Sequence, residues 1–257
     1  MTYSTQSPRQ AIQAHLDGRL NGTLLLRSFM AFDDWHLPVI IQPSGEVASR
    51  FALYEEERWF EMFSDFEVMQ AYEAVHGDSI LGDHIVTTTG VRVFSWLDDD
   101  LDGVNINPNS SLAIHYRKHQ IPMLKSWANI VQLEQAIYTS EVVEDPFGVM
   151  RNFQQYHIVL QKLKNEHQIV LAPDQQGRKL PAIFTAEDTR DSFLAYLKEI
   201  DPESFSNIRM LTLSGDELFS QLQGIPIDGI IFNPKGDLPQ KAFILELIDH
   251  ILSAKEV

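Results

Sequence analysis

The apolar positions along this chain change period repeatedly, and each change marks out an element. Ser7-Pro8 caps a short helix that runs to about Asp17, where Gly18 and then Asn21-Gly22 interrupt it. Thr23 opens a second helix carrying Leu25, Leu26, Phe29 and Met30. Leu37 to Ile41 is an unbroken apolar run closed by Pro43-Ser44-Gly45, which predicts a buried strand, and Arg50 to Tyr54 predicts another. From Glu55 to Ala74, the residues Trp59, Met62, Phe63, Phe66, Met69 and Tyr72 recur at three- and four-residue spacing, the mark of an amphipathic helix. An extended segment near Thr87 and a short helix capped at Thr89 come next. They lead to the strand Gly103–Ile106, a strand from Leu112 to Tyr116 and a helix starting at Pro122.

The second half reads similarly. Phe153, Tyr156, Leu160 and Leu163 form a helical stripe ahead of a strand from Ile169 to Leu171. The turn Pro173 to Gly177 links that strand to one from Leu180 to Phe184, a hairpin in outline. Thr185 opens the helix of Phe193, Leu194 and Leu197, and Ser214-Gly215-Asp216-Glu217 is a capping box for the helix of Phe219 and Leu222. The strand Gly229–Phe232 ends at Asn233-Pro234, and a helix from about Pro239 to Leu252 follows.

The two halves repeat each other. Thr89-Gly90, Phe94-Ser95-Trp96-Leu97 and Asp102-Gly103-Val104-Asn105-Ile106-Asn107-Pro108 return as Ser214-Gly215, Phe219-Ser220-Gln221-Leu222 and Asp228-Gly229-Ile230-Ile231-Phe232-Asn233-Pro234. The offset is 219 − 94 = 125 in the first block and 228 − 102 = 126 in the second, near half the chain. Upstream, Val39 to Pro43 matches Ile169 to Pro173 at an offset of 169 − 39 = 130. A period of this length means two copies of one domain, not a solenoid. The expected fold is therefore mixed α/β (α+β): two tandem copies of a small mixed β-sheet domain with helices packed on it. The expected boundaries are residues 1–140 and 151–257, with the acidic stretch 141–150 as linker.

Composition narrows the function. The chain has 257 residues and 44% hydrophobic residues, enough for two buried cores. With no Cys it has no disulfide, thiol nucleophile or thiolate metal site. Charges interrupt every apolar run before bilayer length, and Met1 to Leu16 lacks the apolar centre of a signal peptide, so the expected home is the cytoplasm. Net charge is −16, with nine basic against eighteen acidic residues in 1–140 and eleven against eighteen in 141–257. Such a field repels phosphate backbones and anionic lipids, so neither nucleic acid nor membrane is an expected partner.

Candidate chemistry is sparse. Asp98-Asp99-Asp100-Leu101-Asp102-Gly103 matches the opening of an EF-hand loop, in which alternate oxygens hold calcium. Position 12, which should be Glu, is Asn109, and Gly103–Ile106 aligns with a strand where an EF-hand would have a helix. A solvated acidic turn is the expected reading, and no cofactor is expected. His115 and His119 stand four apart, but the alternation of Ser111 to Tyr116 argues against a shared helix. His36 has no aligned partner closer than His167. There is no nucleophile elbow, P-loop or dinucleotide fingerprint. The Asp-Gly and Asn-Pro pairs kept in both copies read as turn makers.

Residues 151–252 carry a further signature. Leu171-Ala172-Pro173-Asp174-Gln175-Gln176-Gly177-Arg178-Lys179-Leu180-Pro181-Ala182-Ile183-Phe184-Thr185, then Leu213-Ser214-Gly215-Asp216-Glu217-Leu218-Phe219, then Asp228 to Pro234, resemble the SseB protein N-terminal domain family of bacteria. Residues 24–139 share it only through the internal repeat. The resemblance implies a small α/β domain with no catalytic residue to carry over. It also implies links to serine sensitivity and to secretion apparatus, and similar domains occur as immunity proteins beside toxins.

The expected function is that of a non-enzymatic protein-binding protein, in its narrower form an acidic immunity or cognate-binding protein in a toxin or secretion locus. Its expected partner is a protein with a basic surface. The expected binding face is Glu55, Glu56, Glu57, Glu61, Asp65 and Glu67 with Asp98, Asp99, Asp100 and Asp102. The alternative is a metal-dependent hydrolase built on Asp98, Asp100, Asp102 and a nearby His.

Overall fold

In the computed structural model, which describes residues 7–77, 84–163, 166–223, 225–235, 238, 240–244 and 246–254, Ser7 Oγ accepts the Gln10 N–H at 3.4 Å. It thereby starts α1 (Pro8–Leu16). Helix α2 (Gly22–Ala31) is capped by Asn21, whose side chain accepts the Leu24 N–H at 2.8 Å, and not by Thr23. The strands β1 (Trp35–Ile41), β2 (Val47–Ser49), β3 (Phe51–Tyr54) and β4 (Glu57–Met62) precede α3 (Phe66–His76). Then come β5 (His84–Thr88), α4 (Gly90–Ser95), β6 (Gly103–Ile106), β7 (Ile114–Arg117) and α5 (Ile121–Tyr138). One sheet has the order β2-β1-β5 and a second β3-β4-β6-β7, in which β4 and β6 run parallel. His36 and Phe63 join the two sheets by exchanging backbone hydrogen bonds, both 3.0 Å. Phe29, Met30, Trp35, Met62, Phe94, Val104, Ile106 and Leu124 lie in the core of this unit.

The second half contributes α6 (Pro146–Asn152), β8 (Tyr156–Leu163), β9 (Glu166–Ile169), β10 (Leu171–Pro173), β11 (Lys179–Phe184), α7 (Glu187–Ile200) and α8 (Pro202–Phe205). It continues with β12 (Ile208–Leu213), α9 (Gly215–Gln223), β13 (Gly229–Phe232), β14 (Lys241–Ile244) and α10 (Glu246–Ser253). The strands form one sheet, β12-β8-β11-β13-β14, with β9 added on β8 and β10 on β11. Within it β11 and β13 are parallel and the other described pairs antiparallel. Val159, Ala182, Phe184, Phe193 and Ile231 lie in its core.

The mixed α+β class is thus present, and the pairings of the first half recur in the second. Antiparallel β1/β5 corresponds to β8/β12, parallel β4/β6 to β11/β13, and antiparallel β6/β7 to β13/β14. The His36/Phe63 bridge becomes His157/Phe184, at an offset of 157 − 36 = 121 for both residues. Residues 2–131 form one compact unit and 132–257 the other, so the division falls inside α5. The stretch 141–150, read from sequence as a linker, holds part of a 3-10 turn (Ser140–Val142) and the start of α6.

Side chains reproduce the correspondence. Trp35 and Tyr156 are both fully buried, and each uses its polar end six residues back. Trp35 Nε1 donates to the Phe29 carbonyl at 2.9 Å and the Tyr156 hydroxyl to the Met150 carbonyl at 2.8 Å. An unpartnered donor at either place would cost about 1–3 kcal/mol, which explains why two different residues keep one geometry. Phe32 and Phe94 meet the Trp35 ring edge-on, as Phe153 and Phe219 meet Tyr156.

Several sequence expectations need correction. Glu55 to Ala74 is not one helix: it is a β3–β4 hairpin followed by α3. Trp59, Phe60, Glu61 and Met62 are all buried, because β4 is covered on both faces and so lacks the alternation of a half-exposed strand. The stripe from Phe153 to Leu163 is likewise mostly strand β8, with α6 ending at Asn152. This moves the repeat alignment. The counterpart of β1 is β8 at an offset of 121, not the segment Ile169 to Pro173, and the counterpart of His36 is His157, not His167. The single helix expected from Pro239 is β14 followed by α10, and Pro239 itself lies outside the described residues.

Candidate functional site

The polar residues common to both copies hold the strands together. Asn107 and Asn233, each the first residue of an Asn-Pro pair, are fully buried in left-handed backbone with φ of 52° and 46°. Asn107 Oδ1 accepts the Ser64 N–H at 2.8 Å, and its Nδ2 donates to Ser64 Oγ at 2.9 Å. Asn233 makes the same two bonds to Thr185, at 3.0 and 2.9 Å. Each carboxamide therefore ties the ends of two parallel strands, β4 to β6 or β11 to β13. In the second copy Thr185 Oγ1 also donates to the buried Glu134 at 2.9 Å, and Asn233 Nδ2 to the Tyr138 hydroxyl at 3.0 Å. The shared imidazoles do similar work: His36 Nδ1 lies 3.2 Å from Thr87 Oγ1 and His157 Nδ1 3.2 Å from Thr212 Oγ1. Burial, followed by the charge of Arg190, holds the His157 imidazole below its usual value.

The acidic residues of the first copy do several different jobs. Glu55 and Glu56 form the exposed tip of the β3–β4 hairpin, with left-handed φ of 49° and 76°. Glu57 accepts from Arg117 at 3.2 Å and from the Trp59 indole at 2.9 Å. Glu61 is buried and accepts from the Tyr54 hydroxyl at 2.5 Å and from the Tyr72 hydroxyl at 3.0 Å. Desolvation and that carboxylate push both tyrosines above their usual range. Asp65 caps α3 by accepting the Val68 N–H at 2.9 Å, and Glu67 meets Arg9 in an exposed pair at 3.5 Å. Glu61 is thus turned inward, while Glu55, Glu56, Glu57 and Glu67 are exposed.

The Asp98–Asp102 turn separates its carboxylates in the same way. Asp98 Oδ1 accepts the Asp100 N–H at 3.1 Å, and Asp99 takes a bond from Lys125 at 2.6 Å. Asp102 Oδ2 accepts the Arg58 N–H at 2.9 Å, while Asp100 is exposed. His115, on β7, has Nδ1 2.7 Å from Asn105 Oδ1, and His119 follows in a 3-10 turn. Among the described residues, no three His, Asp or Glu side chains gather closely enough to hold a metal ion.

The two copies also share apolar residues on the surface. Strands β5 and β12 are the outer strands beside β1 and β8. Ile85 and Val86 are 39% and 37% exposed, and their counterparts Met210 and Leu211 are 58% and 38% exposed. The partners match as well: Val86 lies opposite Leu37 and Leu211 opposite Ile158, with Thr87 and Thr212 following in each strand. The block Thr89-Gly90/Ser214-Gly215 lies just downstream at the same offset of 125, so extending that alignment backward by four residues reaches this site. At the far end of β12 a shallow polar hollow is lined by Thr212, Ser214, Asp216, Glu217, Gln154 and Ser220. Hydrogen bonds from the Ser214 backbone and hydroxyl hold the Glu217 carboxyl below its usual value.

No helix among the described residues is long and apolar enough to cross a membrane. Comparison with protein-family models gives no match, and comparison with curated proteins gives none either. Among solved structures the chain is similar to Anabaena Tic22 (protein transport), at a TM-score of 0.23 and 10% identity, over 80% of this chain and 88% of that one. A TM-score so low bears on neither fold nor function.

Proposed function

We propose that this chain acts by binding another protein, without catalysing a reaction. The observation that carries this reading is the exposed aliphatic pair at equivalent places in the two copies, Ile85-Val86 and Met210-Leu211. The polar residues that the copies share, Asn107/Asn233 and His36/His157, are bonded within the fold. Exposed apolar side chains grouped on one strand are the ordinary material of a protein interface.

The net charge of −16 favours a basic partner and disfavours acidic ones. The exposed carboxylates of Glu55, Glu56, Glu57, Glu67, Asp98, Asp99 and Asp100 supply the field on the first copy. In its narrower form the reading is a cytoplasmic bacterial protein of tandem SseB-like domains, serving as a cognate-binding or immunity protein in a toxin or secretion locus. The resemblance of residues 151–252 to that family supports this form.

The test is cross-linking of the tagged full chain in native lysate, followed by mass spectrometry. A stoichiometric basic partner, whose cross-linking yield falls when salt is raised beforehand, is the expected result. Recovery of no stoichiometric partner, together with metal-dependent turnover by the purified chain, overturns the reading.

A further inference from the structure

The equivalence of β5 and β12 extends to what both strands lack. Edge strands are ordinarily protected by Lys, Pro, a bulge or a cover, because their free N–H and C=O groups invite another strand. Strand β5 reads His84-Ile85-Val86-Thr87-Thr88, in unbroken register with β1 over five pairs. Strand β12 reads Ile208-Arg209-Met210-Leu211-Thr212-Leu213, in unbroken register with β8 over six. Neither contains Lys, Pro or a bulge. Among the described residues no strand pairs with the outer side of either. Successive side chains of a strand point to opposite faces, so Ile85 and Val86, like Met210 and Leu211, leave both faces uncovered at one level. By contrast, the edge strand β14 carries Lys241, while the one charged residue of β12 is Arg209.

We propose that the outer edges of β5 and β12 are docking edges, at which an extended segment of a partner protein adds as a further strand. Main-chain hydrogen bonds give such an addition its affinity, and alternate side chains give it specificity. The segment is apolar at alternate positions, which places its apolar side chains on one face of the extended sheet, the face of Val86 at β5 and of Leu211 at β12. It is basic at the positions between, because it approaches a chain of net charge −16 and, at β12, the hollow lined by Glu217. The same charge opposes a second copy of this chain as the occupant. The inference rests on the protein-binding reading above and adds the site and the form of the partner.

The probe is an eight-residue peptide of alternating valine and lysine, with its valine–glutamate counterpart and a version N-methylated at alternate residues. Amide exchange and chemical shifts are followed on the isotope-labelled full chain. The expected result is binding of the lysine peptide with slowed exchange in residues 84–88 and 208–213. Binding is expected to be weaker by about tenfold or more for the glutamate peptide, and abolished by N-methylation. Val86→Lys and Leu211→Lys each lie at an exposed position, and both together should remove binding while leaving the far-ultraviolet spectrum unchanged. No binding of the lysine peptide, binding that survives N-methylation, or binding that the double variant retains overturns the proposal. So does a dimer, seen by sedimentation, that Leu211→Lys disperses, since a second copy then occupies the edge. A cross-linked partner that the double variant still captures removes the docking edges and leaves the protein-binding reading standing; absence of any partner, together with metal-dependent turnover, removes that reading itself.

Discussion

Asn233 grips Thr185 from two sides, accepting its N–H at 3.0 Å and donating to its hydroxyl at 2.9 Å, with the side chain fully buried. Asn107 grips Ser64 identically. Replacing either Asn by Ala removes both bonds, leaves the buried Ser64 or Thr185 N–H without its acceptor, and puts an unsuited residue at positive φ. Each change should cost about 2–4 kcal/mol by urea denaturation. A loss of a few tenths would show that the clamps are incidental.

The hairpin tip of β3 and β4 makes the opposite prediction. Two-residue turns with positive φ at both central positions prefer Asn-Gly, and here they hold Glu55 and Glu56. The double substitution Glu55→Asn, Glu56→Gly relieves the backbone and separates two like charges. Stability should rise by about 1–2 kcal/mol, measured by thermal and urea unfolding. An unchanged or lowered midpoint would argue against the left-handed tip.

Gly90 and Gly215 begin α4 and α9 where these helices meet α2 and α6, respectively, at backbone distance. A Cβ on Gly90 would strike the Phe29 carbonyl oxygen, and one on Gly215 the carbonyl oxygens of Met150 and Arg151. Ala at either place should destabilise by about 2 kcal/mol or more, although Ala is otherwise the better helix former. A neutral result at both would contradict this close packing.

Two pH effects follow, with opposite directions. His157 titrates lower in the folded state than in the unfolded chain, so the unfolded chain binds more protons as pH falls below about 6.5. Its contribution is present above that value and lost in acid, and His157→Gln should flatten that part of the stability profile. Tyr54 and Tyr72 titrate higher when folded, so their contribution is full below pH 10 and lost as pH rises beyond it. Absorbance titration of tyrosinate should show these two ionising late, and Glu61→Gln should bring Tyr54 earlier. Tyrosines that all ionise together near pH 10 in the folded chain would contradict the Glu61 network.

Much of the fold is written in local chemistry. Ser7, Thr89 and the Ser214–Glu217 box cap the helices they were expected to cap, because capping needs only a side chain and the next three residues. Gly103–Ile106 and Gly229–Phe232 are strands bracketed by their turn residues, as read. The misread segments, Glu57 to Met62 and Tyr156 to Leu163, lie inside sheets. A strand buried on both faces loses its two-residue alternation, and its apolar positions then fall at helical spacing by coincidence.

By itself, then, the amino-acid order determined the mixed class, the internal repeat, the caps and turns, and the acidic balance, since each depends on residues close in sequence or on a sum over them. Only tertiary structure decided which strands are equivalent, because loops of different length hide an offset that moves from 121 to 126 along the chain. It also decided that Glu61 faces inward to two tyrosines, that Asp98 to Asp102 disperse among separate partners, and that Ile85-Val86 and Met210-Leu211 stand uncovered. Exposure is a property of what packs around a residue, and those neighbours come from distant parts of the chain.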